Sequence, residues 1–192
     1  MKSFWRIFIF VVVMGTVSSA LLVGLEAFTS PLIAKNEELK IKSATLDVLE
    51  IPYDKTNALA TFGEKVKALQ IEKDTFYRSA DGTIAFEFRG PGLWGPIYGI
   101  ASISSDLKTI RTIKILYQEE TPGLGARIAE AAFLKQFRGK EFFPKLLFVA
   151  QGRSSAKNEV DAITGATGSC KALEKLLNET LQKNAAMLKE AR

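Results

Sequence analysis

The stretch TIAFEFRGPGLWGPIYGIASISSDLKTIRTIKILY, residues 83–117, decides the fold. Apolar residues alternate with polar or small ones over 83–88, and apolar-rich runs follow over 97–103 and 109–117. A period of two is typical of strands with one buried face, and Ser105-Asp106 supplies a turn between the last two runs. The stretch therefore predicts an antiparallel meander of three strands.

Helical patterns and one further strand surround this meander. Apolar residues at helical spacing cover 34–49, 54–69, 126–137 and 169–189, and the last of these segments is amphipathic. Residues 142–150 predict another strand, which Pro144 interrupts. The chain is therefore predicted to be an α+β protein, with an antiparallel sheet and flanking helices.

An uncharged stretch near the N-terminus predicts one transmembrane helix. Nineteen residues from Ile7 to Leu25 carry no charge, close to the roughly 20 that a helix needs to cross a bilayer. Lys2 and Arg6 precede the stretch, so the positive-inside rule predicts an inner-membrane protein with a cytoplasmic N-terminus and an extracytoplasmic remainder. The alternative is a cleaved signal peptide with a weak site at 18–20, which the apolar residues beyond that site disfavour.

These features divide the chain into three predicted parts. Residues 1–28 are the transmembrane anchor, 29–75 a helical spacer, and 76–192 a globular domain with a C-terminal amphipathic helix. Ser30-Pro31 is expected to end the membrane helix, because proline lacks the N–H that the helix ladder needs. The sequence leaves open whether 29–75 is a stalk or a part of the globular domain.

Composition excludes several classes of function. Hydrophobic residues make up 47% of the 192 residues and charged residues 24%, which is the balance of a chain with a buried core. With no histidine and one cysteine, the chain lacks an imidazole base and the usual ligand sets for zinc or iron–sulfur clusters. Its 26 Lys and Arg and 21 Asp and Glu are scattered, which argues against a nucleic-acid face. We therefore predict no catalytic side chains, no metal and no nucleic-acid partner.

Two glycine-rich loops flank strands of the meander. The GLWGP loop, residues 90–96, joins two strands, and its glycines permit close approach of another molecule; the alternative is a tight connection capped by a core tryptophan. The ETPGLG loop, residues 119–125, runs from a strand into a helix predicted to begin near Ala126. Backbone N–H groups at such a junction favour an anionic or electron-rich ligand, and the alternative is an ordinary cap and turn.

A third loop opens the C-terminal helix. The TGAT loop, residues 161–169, gathers the hydroxyls of Thr164, Thr167 and Ser169 with two glycines at a helix N-terminus. Unpaired N–H donors and the helix dipole stabilise a phosphate at such a place. The alternative is a capping cluster in which Ser169 is the N-cap.

Together, the three loops resemble a known family. Asp161 and residues 164–167 match the pattern Dxx[ST]GAT of proteins with covalent FMN, in which the last threonine is esterified to the flavin phosphate. Residues 120–125 and 92–96 are similar to the ETPGLG and GLWGP segments of two such proteins, RnfG of the Rnf electron-transport complex and NqrC of the sodium-translocating NADH:quinone reductase. The resemblance covers the whole chain in order, and the compact length favours the Rnf protein.

The resemblance implies where the cofactor is held. Thr167 would carry FMN through a phosphoester bond, added by a separate flavin transferase, and Asp161 would order the loop. The other residues implied for the flavin site are Thr164, Gly165, Ala166, Gly168, Ser169, Leu93, Trp94, Gly95, Thr121, Pro122, Gly123, Leu124 and Gly125. One departure is visible, because the family often has a histidine shortly before ETPGLG and this chain has Tyr117-Gln118-Glu119.

The resemblance also implies a function. The chain would be an electron carrier within an Rnf-type ferredoxin:NAD oxidoreductase, which moves Na⁺ or H⁺ across the membrane together with other proteins of the complex. A closely related alternative is NqrC of the sodium-translocating NADH:quinone reductase. An alternative from a different class is an anchored extracytoplasmic scaffold or binding module without flavin, whose glycine loops are turns.

Overall fold

The computed structural model describes residues 2–54 and 56–191. The chain divides into two compact units, and their boundary is not at residue 55. The first unit runs up to Ile41 and the second begins at Lys42. The first unit is a single helical segment, and the second contains the sheet and every other helix described below. The predicted functional limits at residues 28 and 76 stay predictions.

A single helix, α1, occupies Lys2–Val48 without interruption. The expectation that Ser30-Pro31 ends the helix is wrong, since Pro31 lies inside it. Proline has a helix-compatible φ and removes one hydrogen bond, so strong helix formers on both sides, such as Leu32 and Ala34, can carry the ladder past it. Within the described residues, α1 is long and apolar enough to cross a membrane, which suggests a single-pass anchor.

The predicted meander forms the core of a five-stranded antiparallel sheet. Its strands are consecutive neighbours: β1 Lys67–Ile71, β2 Asp74–Arg78, β3 Ile84–Pro91, β4 Pro96–Ile103 and β5 Ile110–Tyr117. The three predicted strands are confirmed as β3 to β5, and the α+β architecture is confirmed with them. Two strands were not predicted, β1 and β2, and β1 pairs with β2 from Lys67 opposite Arg78 to Ile71 opposite Asp74.

The segment 29–75 is less helical than predicted. Of the helix expected over 54–69, only α2, Ala58–Lys65, forms, and the chain then enters β1. Val66 is the turning point, because its backbone is extended, with φ −116° and ψ 126°. Residues 67–71 therefore belong to the sheet rather than to a helical spacer.

The sheet is covered on both faces. On one face the buried side chains of β2 to β5 pack against the C-terminal helix α4, Thr167–Glu190, through Leu173, Leu177 and Leu181. On the other face lie the last turns of α1 and the helix α2. Ser102 Oγ donates a hydrogen bond of 2.6 Å to the Val48 carbonyl, and the rings of Phe62 and Tyr77 meet edge to face.

The segment between β5 and α4 differs most from the prediction. The helix expected over 126–137 is broken into a 3₁₀ turn Gly125–Ala129, the short helix α3 Ala131–Leu134, and a second 3₁₀ turn Lys135–Phe137. The break lies at Glu130, whose ψ of 139° is extended. The strand expected over 142–150 shrinks to β6, Leu147–Val149, which pairs in parallel with β7, Glu159–Asp161.

Candidate functional site

The GLWGP loop joins β3 to β4 as a hairpin connection. Gly92 N–H donates to the Gly95 carbonyl at 2.8 Å, which closes the loop. The side chains of Leu93 and Trp94 point outward, with 53% and 72% of their surface exposed. The alternative of a core tryptophan is therefore wrong. A shallow pocket of about 440 Å³ lies along residues 89–96.

The ETPGLG loop follows β5 and turns on itself. The N–H groups of Leu124 and Ala126 donate to the Thr121 carbonyl at 3.1 and 3.0 Å. Leu124 is 46% exposed, whereas Glu120 is only 4% exposed. Because the loop leads into a five-residue 3₁₀ turn, the expected helix dipole at Ala126 is absent from this junction.

The TGAT loop leads directly into α4. The backbone of Gly165 has φ +82°, a left-handed conformation that suits glycine, and α4 begins at Thr167. The helix has Ala166 in its N-cap position and no side-chain cap. The N–H groups of Thr167, Gly168 and Ser169 therefore lack intrahelical acceptors, as in the first turn of any helix. The alternative with Ser169 as N-cap is wrong.

The three hydroxyls of this loop have different surroundings. Thr164 Oγ1 donates to Gln151 Oε1 at 2.7 Å, and the buried Ser169 Oγ donates to Glu120 Oε2 at 2.6 Å. Thr167 is exposed, and its hydroxyl has no hydrogen-bond partner among the described residues. Thr167 is thus the hydroxyl that another molecule can reach without breaking an existing bond.

Glu120 connects the three loops. Its Oε1 accepts hydrogen bonds from the N–H groups of Leu93 at 2.7 Å and Trp94 at 3.4 Å, and its Oε2 accepts the Ser169 bond. Sequence reasoning missed this residue as a site residue. A glutamate shortly after a strand gives no sign of burial, and the signal that sets it apart from Glu119 is its place as the first residue of the ETPGLG motif.

Glycines allow the loops to approach one another. A Cβ on Gly168 would lie 2.6 Å from Leu93 Cδ2, and a Cβ on Gly165 would lie 3.3 Å from Leu124 Cδ2. Contacts with real side chains are rarely that short, so Leu93 of the first loop and Leu124 of the second both reach the start of α4. The structure thus brings parts of all three predicted segments together.

Asp161 performs a different task from the rest of the set. Its Oδ1 accepts the backbone N–H groups of Ser154 at 2.8 Å and Arg153 at 3.0 Å. These bonds, with that from Ser154 the strongest influence, lower the pKa of the Asp161 carboxyl below its usual range. The Asp161 side chain therefore orders the turn at 152–154, whereas the Glu120 carboxylate accepts hydrogen bonds from the GLWGP loop.

Comparison with known proteins supports an FMN-binding domain. Residues 92–182 match the family model described as the FMN-binding domain. All three motifs lie largely inside these residues, so the prediction of such a domain is supported at this coarser level. The covalent link to threonine and the identity of the complex stay predictions.

Two curated relatives carry the name of the same kind of complex. NqrC of the Na(+)-translocating NADH-quinone reductase of Chlamydia trachomatis is 30% identical over 148 residues, which are 65% of this chain and 45% of that protein. The corresponding protein of Neisseria meningitidis serogroup A is 39% identical over 98 residues, covering 48% of this chain and 38% of that protein. The chain thus spans less than half the length of these relatives.

Solved structures share the fold. NqrC of the Na(+)-translocating NADH-quinone reductase from Parabacteroides distasonis superposes with a TM-score of 0.71 and 25% identity, over 82% of this chain and 95% of that one. NqrC from Shewanella oneidensis gives a TM-score of 0.66 at 17% identity, over 80% of this chain and 99% of that one, which shows the fold alone.

Proposed function

We propose that this chain is a membrane-anchored FMN carrier that holds its flavin through a phosphoester on Thr167 and passes electrons within an ion-translocating membrane oxidoreductase. The single observation that carries the proposal is that the Thr167 hydroxyl is accessible and unbonded among the described residues. Thr167 is exposed in the first turn of α4, its hydroxyl makes no hydrogen bond among the described residues, and its neighbours Gly165 and Gly168 lie close to Leu124 and Leu93 of the two other loops. Its two rival hydroxyls are already engaged.

The start of α4 suits a phosphate group. The N–H groups of Gly168 and Ser169 lack intrahelical partners, and the 24-residue helix directs the positive end of its dipole toward this point. The single negative charge of a phosphodiester there would be offset without a lysine or arginine. Thr167 would supply the bridging oxygen, and Gly165 would give the loop its sharp turn.

The exposed apolar side chains of the GLWGP and ETPGLG loops suit a flat, largely apolar ring. Leu93, Trp94 and Leu124 are exposed, although side chains of this kind are usually buried. Pro122, between Thr121 and Gly123, is exposed as well. The bound flavin would supply the redox chemistry, while the protein orients it and controls access of water.

The proposal is tested first on the unaltered chain. Coexpressed with a flavin transferase, the protein should keep yellow colour and fluorescence after denaturation, and its mass should increase by one FMN. The same chain made without the transferase is the control. A colourless chain despite an active transferase would contradict the proposal and favour the scaffold alternative.

Trp94→Ala is expected to shift the absorption bands of the loaded flavin and to leave the fold intact. Trp94 is 72% exposed, so removing its ring costs little packing but changes the surroundings of a ring bound beside it. Absorption spectra and circular dichroism measure the two effects. Phe143→Ala is the matched control, since Phe143 is an aromatic residue 44% exposed outside the three loops. Identical flavin spectra in wild type and Trp94→Ala would remove Trp94 from the site.

Two complexes are candidates for the site of action. The Rnf-type complex is our first assignment, on the resemblance of the three motifs. The Na(+)-translocating NADH-quinone reductase is the second, and the names of the curated relatives and of the superposed structures favour it. Affinity purification from native membranes separates the two, because copurified iron–sulfur proteins that accept electrons from ferredoxin identify the first, and an NADH-oxidising, quinone-reducing partner identifies the second.

The membrane topology gives a further prediction. If Lys2 and Arg6 hold the N-terminus in the cytoplasm, protease added to spheroplasts should digest the domain from Lys42 onward. A cytoplasmic protein must stay intact in the same sample as a control for membrane integrity. Digestion that requires lysis of the inner membrane would reverse the proposed orientation.

A further inference from the structure

A buried carboxylate lies where the three loops meet. Glu120 is 4% exposed, and no Lys or Arg in the described part of the chain forms an ion pair with it. Burying a carboxylate costs free energy unless hydrogen bonds replace its water. Such a group at a proposed cofactor site therefore needs an explanation beyond the stability of the fold.

Within the described chain, the donors to this carboxylate all come from the two other loops. The N–H groups of Leu93 and Trp94 belong to the GLWGP loop, and the hydroxyl of Ser169 belongs to the TGAT loop. Glu120 itself is fixed by its own backbone, whose N–H donates to Gln118 Oε1 at 2.6 Å. One side chain thus joins the β3–β4 connection, the end of β5 and the start of α4.

Two glycines lie so close to the Glu120 side chain or its partner that neither position has room for a Cβ. A Cβ on Gly92 would overlap Glu120 Oε1, and a Cβ on Gly125 would overlap Ser169 Oγ and lie 2.9 Å from Glu120 Cβ. The sequence suggested that these glycines admit a ligand. In the structure they admit Glu120 and its partner, so the glycines and the carboxylate form one arrangement.

We propose that Glu120 is the positioning residue of the flavin site: its carboxylate clasps the GLWGP loop to the first turn of α4 and so holds Leu93 and Trp94 beside Thr167. This inference rests on the proposed function, because it concerns where the ring of an FMN on Thr167 would lie. Hydrogen bonds to a charged acceptor are stronger than neutral ones, which suits a clasp between exposed loops.

The geometry predicts how substitutions rank. Glutamine keeps the length and an oxygen for the two loop N–H groups, and its amide can donate to Ser169 Oγ. Aspartate keeps the charge but is one methylene shorter, so it cannot reach both loops. Alanine removes all three bonds. The order of loop stability should therefore be Glu, then Gln, then Asp and Ala.

The clasp is tested by hydrogen exchange on the full chain in detergent, without flavin. In Glu120→Ala the segment 92–96 should exchange at least about tenfold faster, since the lost bonds run to a charged acceptor and are of the stronger kind. Glu120→Gln keeps the bonds but loses the charge, so its exchange rate should lie between those of wild type and Glu120→Ala. Glu130→Gln, an exposed glutamate outside the three loops, is the charge control. Unchanged exchange in a folded Glu120→Ala protein would overturn the clasp.

Ser169→Ala covers the case in which Glu120→Ala does not fold. It removes one hydroxyl and one bond of the clasp, so the distant segment 92–96 should exchange several-fold faster. Unchanged exchange there would contradict the coupling between the two loops.

Measurements on the FMN-loaded protein test whether Glu120 positions the flavin ring. Glu120→Ala or Glu120→Asp should lower the fluorescence anisotropy of the flavin and shift its spectrum, and Glu120→Gln should restore both. A loosened loop with an unchanged flavin would reduce Glu120 to a structural residue and overturn the positioning role. A wild-type chain that takes no flavin would instead refute the proposed function, whereas the exchange data would still show whether the clasp exists.

Discussion

Thr167→Ala is expected to abolish the fluorescent flavin band on a denaturing gel, with no residual FMN in the intact mass. The substitution removes the one hydroxyl of the TGAT loop that is exposed and without a hydrogen-bond partner in the described chain. It leaves the helix intact, because Thr167 makes no side-chain cap and alanine is a better helix former. The measurement is coexpression with a flavin transferase, followed by in-gel fluorescence and mass spectrometry.

Thr164→Ala is the matched control, since it removes a threonine hydroxyl three residues away that is bound to Gln151. Its flavin band should weaken at most, and Thr167→Ser should retain part of the flavin because the hydroxyl survives. An FMN increment that persists in Thr167→Ala and maps to another residue would refute the attachment point.

Sequence periodicity predicted strands with a clear pattern of buried apolar residues. In β3, buried Ile84, Phe86 and Phe88 share one face and exposed Glu87 lies on the other, so the period of two is visible in the letters. In β1 four of five residues are exposed, and the strand is held by pairing with β2 rather than by burial. Backbone pairing leaves no periodic trace, which is why β1 was interpreted as the end of a helix.

Helix ends were harder to predict than helix faces. The amphipathic pattern of α4 correctly placed Leu173, Leu177 and Leu181 in the core. Pro31 suggested an end that α1 does not have, and the apolar spacing of 126–137 concealed a break at Glu130. In both cases the outcome depends on a few backbone angles that many residue types can adopt.

The candidate site was predicted in its loops but not in the contacts between them. The glycines and hydroxyls of the three motifs are visible as composition, and the structure brings parts of all three together. The contacts depend on which side chain turns inward, and Glu120 does so while Glu119 next to it stays exposed. That difference comes from the packing of three distant segments, which one sequence does not display.

Gly125→Ala is expected to destabilise the domain by about 1–3 kcal/mol, the usual cost of an extra methyl group in a packed interior. Gly125 is buried, and its added Cβ would overlap Ser169 Oγ and lie 2.9 Å from Glu120 Cβ. Its backbone does not have positive φ, so alanine meets no conformational strain there and only the lack of space opposes it. Urea unfolding of the full chain in detergent, followed by circular dichroism, measures the change.

Gly63→Ala is the control for this change. Gly63 lies in α2 with no heavy atom within 4 Å of its added Cβ, so alanine should stabilise the helix by up to about 1 kcal/mol. The two substitutions add the same methyl group and should move the unfolding midpoint in opposite directions. If Gly125→Ala were as stable as wild type, the loops would have room to separate. The close packing of Glu120 and Ser169 against Gly125 would then not fix the positions of the loops.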